Sequence, residues 1–126
     1  MTTIKIFLFL GSISSFLAVG LGAFGVHGLR GKISPEMLAA FQTGVQYHFY
    51  HSLGLFAVAF AASYLGDTGL IRWSGWMMVL GIVLFSGSIY ALSTTGVRSL
   101  GIITPFGGTA FLAGWILLAV AALSAR

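Results

Sequence analysis

From residue 6 to residue 26 the chain runs without a charged side chain, and about 20 apolar residues are what an α-helix needs to cross the hydrocarbon core of a bilayer. The pattern returns over residues 49–65, 73–92 and 105–123. Only 6% of the 126 residues are charged and 58% are hydrophobic, with a mean hydropathy of +1.03. Ordinary soluble domains carry about a quarter charged residues. A water-soluble fold of this size would leave much of its apolar surface uncovered and aggregate through it. The expected fold is all-α: an integral membrane four-helix bundle, one transmembrane domain over residues 1–126.

The start from Met1 to Lys5, with small residues at Ala18 and Gly20, imitates a secretory leader. The apolar run continues through Leu21, Phe24 and Val26, which is too long for a leader core, so it is expected to be retained as the first span. Four crossings put both termini on one side and bring the loop of Arg30, Lys32 and Glu36 together with Arg98 on the other. Lysines and arginines then divide evenly, Lys5, Arg72 and Arg126 against Arg30, Lys32 and Arg98, so charge bias assigns no orientation. Each basic residue flanks an apolar stretch. They read as headgroup anchors, not as the one-sided basic patch of a nucleic-acid binder. Trp73, Trp76 and Tyr90 sit toward the ends of the third span, like an interfacial aromatic belt.

Ser34 followed by Pro35 is a helix-start signal, and Leu38, Phe41 and Val45 recur near helical spacing behind it. A short amphipathic helix over residues 35–46 is expected, lying on the membrane surface or running into the second span near Gly44. The absence of cysteine excludes disulfides and thiolate chemistry.

Eighteen glycines in so short a chain suit close helix contact. Gly11, Ser15, Ala18 and Gly22 fall near one stripe of the first span, extended by Gly25 and Gly28. Gly75, Gly81, Gly87 and Ala91 form a set in the third span, and Ala110 and Gly114 a pair in the fourth. These residues are expected at contacts within the chain; the sharper reading gives them to a homo-oligomer or partner interface. No ionisable Asp, Glu, Lys or Arg lies inside any span, unlike the pattern of pumps and proton-coupled carriers.

Two segments concentrate the chemistry. His48 and His51, three residues apart, share a helical face, and the topology brings His27 and Glu36 to the same side. Three imidazoles and a carboxylate form a donor set for zinc, copper or iron, set against the plainer reading of amphipathic side chains at an interface. In the second segment, Thr104 and Pro105 read as the capped start of the fourth span. Arg98, Thr104, Gly107 and Gly108 make a polar face suited to an anionic ligand. No nucleophile–base pair or carboxylate dyad is visible, so no catalytic residue and no enzymatic activity are expected.

The motifs Gly22-Ala23-Phe24-Gly25-Val26-His27-Gly28, Phe41-Gln42-Thr43-Gly44-Val45-Gln46-Tyr47-His48-Phe49-Tyr50-His51, Leu84-Phe85-Ser86-Gly87-Ser88-Ile89-Tyr90 and Ile103-Thr104-Pro105-Phe106-Gly107-Gly108, followed by Gly114-Trp115, resemble the YgdD/YwdK-like inner-membrane family. Eukaryotic transmembrane protein 256 looks like a distant member. The resemblance implies a four-helix protein of the bacterial inner membrane with cytoplasmic termini, and it brings no activity. The functional expectation is a non-catalytic bundle, acting as a homo-oligomer or as an accessory subunit of a membrane assembly. The alternatives are a metal or haem site on His27, His48, His51 and Glu36, and a small-solute or lipid-handling pore lined by Ser86, Ser88 and Thr104. No cofactor is expected on the lead reading. The expected partners are the lipid bilayer and another membrane chain, with no nucleic acid.

Overall fold

The computed structural model describes residues 2–125 and contains four long helices. Arg126, expected as an anchor, lies outside the described residues. Helix α1, Thr3–Leu29, begins where the Thr2 side chain accepts the Lys5 N–H at 3.2 Å. Its last turn, Gly25–Leu29, widens to π geometry, and Gly31, at φ 82°, turns the chain away. Helix α2, Pro35–Leu65, starts as the sequence predicts. Ser34 accepts the Met37 N–H at 3.1 Å, Pro35 occupies the first turn, and Glu36 sits at the positive end of the helix dipole. Residues 35–46 and 49–65 are thus parts of one unbroken helix about 46 Å long.

Helix α3, Gly69–Thr95, is capped by Thr68 and passes through a π segment at Ile82–Ser86. Helix α4, Arg98–Ser124, opens with a tight turn at Arg98–Ile102 and is regular over Thr104–Ser124. Pro105 lies in its first regular turn as expected, but Thr104 does not cap it. Ile103 holds the cap position without a side-chain bond, while Thr104 Oγ1 lies 2.6 Å from Ser88 Oγ on α3.

Successive helices run antiparallel. Thr3 Oγ1 donates to Asp67 Oδ2 at 2.8 Å across one end of the α1–α2 pair, and Gly25 faces Phe41 near the other. On α3 and α4, Phe85 meets Gly107 and Met78 meets Gly114. The last pair packs closest. A Cβ on Gly107 would overlap the Phe85 backbone, and one on Gly114 would lie 2.9 Å from Met78 Cγ. With no side chain there, Ser74 Oγ donates to the Gly114 carbonyl at 2.9 Å.

Of the small residues expected at contacts, Gly11 faces Phe56, Gly22 faces Val45, Gly25 faces Phe41, and Ala18 and Ala110 are buried. Gly87 departs from the expectation: a Cβ there would meet nothing within 4 Å.

Helices α1, α3 and α4 are each long and apolar enough to cross a membrane. Helix α2 is longer but more polar. It touches all three others and buries His48, His51 and Ser52 beside Leu55, Val58 and Ala62. His48, His51 and Ser52 face protein, whereas Gln42, Thr43, Gln46 and Tyr50 of the same helix are exposed; the other helices present apolar residues such as Phe16, 73% exposed, and Leu112, 72% exposed. Charges collect at the ends: Lys5, Asp67 and Arg72 at one, Arg30, Lys32, Glu36 and Arg98 at the other. The Arg72–Asp67 pair, at 2.9 Å, is half exposed, and pairs of this kind contribute about 0–1 kcal/mol.

Candidate functional site

The polar groups of α2 form two hydrogen-bonded clusters. In the first, Ser52 Oγ donates to the His48 carbonyl at 2.8 Å, and Ser14 Oγ lies 2.5 Å from Ser52 Oγ. His48 Nε2 is 3.0 Å from Ser14 Oγ, and His48 Nδ1 is 2.8 Å from Tyr90 Oη. The direction of this chain follows from its end. A carbonyl only accepts, so it takes the single Ser52 proton; Ser14 must then donate to Ser52, and His48 Nε2–H must donate to Ser14. With a neutral imidazole, Nδ1 accepts from the Tyr90 hydroxyl. The cluster ties α1, α2 and α3 together with each proton assigned.

The second cluster fixes His51. Trp115 Nε1–H donates to His51 Nε2 at 2.9 Å, and an indole N–H can only donate. His51 is therefore neutral, with its proton on Nδ1, which donates to the Tyr47 carbonyl at 2.7 Å. The ring stacks on Phe111, with centroids 3.5 Å apart and planes 9° apart. This cluster joins α2 to α4.

Beside the first cluster lies an apolar cleft of about 450 Å³ between α1 and α3, with α2 behind it. Leu10, Ile13, Leu17 and Leu21 form one wall and Val79, Ile82, Val83 and Gly87 the other, while Ser14, His48 and Tyr90 supply its polar lining. Gly87, expected to pack, instead leaves this wall open.

The expected convergence of His27, His48, His51 and Glu36 does not occur: among the described residues no three His, Cys, Asp or Glu side chains come together as a metal-binding group. His48 turns toward α1 and α3, His51 toward α4, and both nitrogens of each ring already have partners. His27 is exposed, and Glu36 stands 3.9 Å from Arg98 in an exposed pair. The hydroxyls expected to line a pore are likewise engaged between helices. Ser86 Oγ donates to the Gly44 carbonyl at 2.7 Å, and Ser88 and Thr104 bond each other. Of the expected polar face, Gly107 is buried against Phe85, Gly108 is half-buried, and Arg98 is exposed at the helix end. Tyr90, expected in an aromatic belt, instead directs its hydroxyl to His48. Ser14 and Trp115 carry the two clusters without any local sign of it in the sequence, their partners lying 34 and 64 residues away.

A family model described as "Protein of unknown function (DUF423)" matches residues 21–108. The chain is 57% identical over 119 residues to UPF0382 membrane protein YwdK of Bacillus subtilis (strain 168), covering 94% of this chain and 97% of that protein. It is 44% identical over 120 residues to a UPF0382 membrane protein of Staphylococcus epidermidis, covering 94% and 96%. No solved structure matches.

Proposed function

The chain belongs to the DUF423 family of UPF0382 membrane proteins, and from that premise we propose that it is a non-catalytic four-helix bundle of the bacterial plasma membrane that works by associating with a second membrane chain. The observation that carries this reading is the accounting of its buried polar atoms. Among the described residues, Ser15 Oγ is the one buried side-chain oxygen or nitrogen without a partner. His48, His51 and the serines that bridge helices, groups an enzyme would use, are engaged in holding helices together. Ser15 lines a groove along α1 with Ser12, Phe16, Val19 and Gly20, bordered by Phe49 of α2. Small residues there admit a neighbouring helix at close approach. The occupant is either a second copy or a subunit of a larger assembly.

The test is affinity purification from native membrane in mild detergent. A defined oligomer or a stoichiometric co-purifying chain supports association, and Ser15→Leu should abolish it while the helical content stays unchanged. A monodisperse monomer without a partner overturns the reading. Four crossings with cytoplasmic termini predict that a probe attached at Lys32 is reached from the periplasmic side of intact cells and one at either terminus is not. The opposite labelling pattern reverses the orientation, and labelling of Lys32 and one terminus from the same side removes the fourth crossing.

A further inference from the structure

We propose that the cleft between α1 and α3 is a binding site for a long-chain alcohol, an apolar alkyl or isoprenoid chain ending in a hydroxyl that donates to Tyr90 Oη. Three features point to such an occupant. The first is hydrogen-bond polarity. In the neutral network the protons of Tyr90, His48 and Ser14 all point along the chain toward Ser52, so the polar lining offers lone pairs to the cleft and no proton. A phospholipid ester, which can only accept, finds no donor here. A hydroxyl finds an acceptor in an apolar setting, where an unmatched polar group is costly.

The second feature is shape. The lining from Leu10 to Leu21 extends about 16 Å along α1. Beyond Leu10, α1 and α3 close together where Phe7 packs on Gly75 and stacks edge-on against Trp76, with centroids 5.3 Å apart. The result is a groove closed at that end and open along the side of Ile13, Leu17 and Val83, which are exposed, with a volume of about 450 Å³. It fits a chain. The third feature is the wall itself. Helix α3 departs from α geometry at Ile82–Ser86, along the groove, and the next residue is Gly87, whose missing side chain leaves the space open. π segments inside α-helices recur at functional sites, and here two successive departures from regular packing keep one cavity unfilled.

The experiment measures equilibrium binding of labelled farnesol, as the probe alcohol, to the full-length protein in phosphatidylcholine nanodiscs. The comparison ligand is farnesyl methyl ether, which keeps the chain and loses the donor. Saturable binding of one farnesol per chain is expected, with the ether at least tenfold weaker. Gly87→Leu, which fills the groove, should remove saturable binding of both, and Val83→Phe provides a second filling variant should the first fail to fold. Ala113→Leu, on the outer side of α4, should leave farnesol binding unchanged. Equal affinity for alcohol and ether overturns the proposal. So does non-saturable uptake, or uptake that persists in both filling variants.

Discussion

The two buried histidines differ in what their neighbours permit. His51 receives an indole N–H, which cannot accept, so protonating Nε2 would set two protons against each other across 2.9 Å. Its nitrogen-15 NMR shifts should therefore remain those of the neutral Nδ1–H tautomer from about pH 5 to 8, the range in which an ordinary histidine changes charge; an imidazolium signal in that range would contradict the assignment. His48 depends on a serine instead. Ser14→Ala leaves Nε2–H without an acceptor and should destabilise the protein by about 1 kcal/mol, in line with polar contacts between membrane helices. Reversible unfolding in mixed micelles would read that loss, and no loss would show that the Ser14 link is not made. The pairing of the two rings was only partly legible in the sequence. A spacing of three places His48 and His51 about 60° apart around α2, near enough to suggest a shared site yet wide enough to point the rings at different helices. The partners that decide between these outcomes, Ser14, Tyr90 and Trp115, lie on other helices, and no local pattern connects them.

At the scale of elements, what depends on neighbouring residues was readable and what depends on docking was not. The start of α2 follows from Ser34, Pro35 and Glu36, all within one turn, and the structure keeps it. The sequence does not decide the continuity of α2 through residues 46–49, because the polar run around Tyr47, His48 and His51 resembles a membrane interface until the surrounding helices are known. The small residues divide in the same way. Gly107 and Gly87 are both glycines in apolar helices, but only Gly107 meets a neighbouring backbone. Gly107→Ala should prevent close packing of α3 on α4 and lower the midpoint of thermal unfolding strongly. Gly87→Ala should leave it unchanged or raise it, since alanine is favoured over glycine in a helix by up to about 1 kcal/mol. Equal effects of the two substitutions would show that the α3–α4 contact is not as close as described.

At the scale of the whole molecule, polarity is arranged from the inside outward. Helix α2 buries two imidazoles, His48 and His51, on the side it turns to the other helices and exposes Phe60 and Tyr64 on its other side, while α1, α3 and α4 turn apolar residues outward, with charges confined to the ends. On the four-crossing reading, this arrangement bears on how the protein is made. Helix α2 lacks the hydropathy of the others and carries His48, His51 and Ser52, whose partners lie largely on other helices, so the insertion machinery has little reason to release it sideways as it emerges from the ribosome. Helix α1, joined to it by a short turn, can supply the shelter first. Delivered alone behind a reporter, α2 should pass through the translocon or stay outside the bilayer; preceded by α1, it should partition into the membrane. The order of synthesis would then be part of the folding mechanism, with α2 entering the bilayer as one arm of a hairpin.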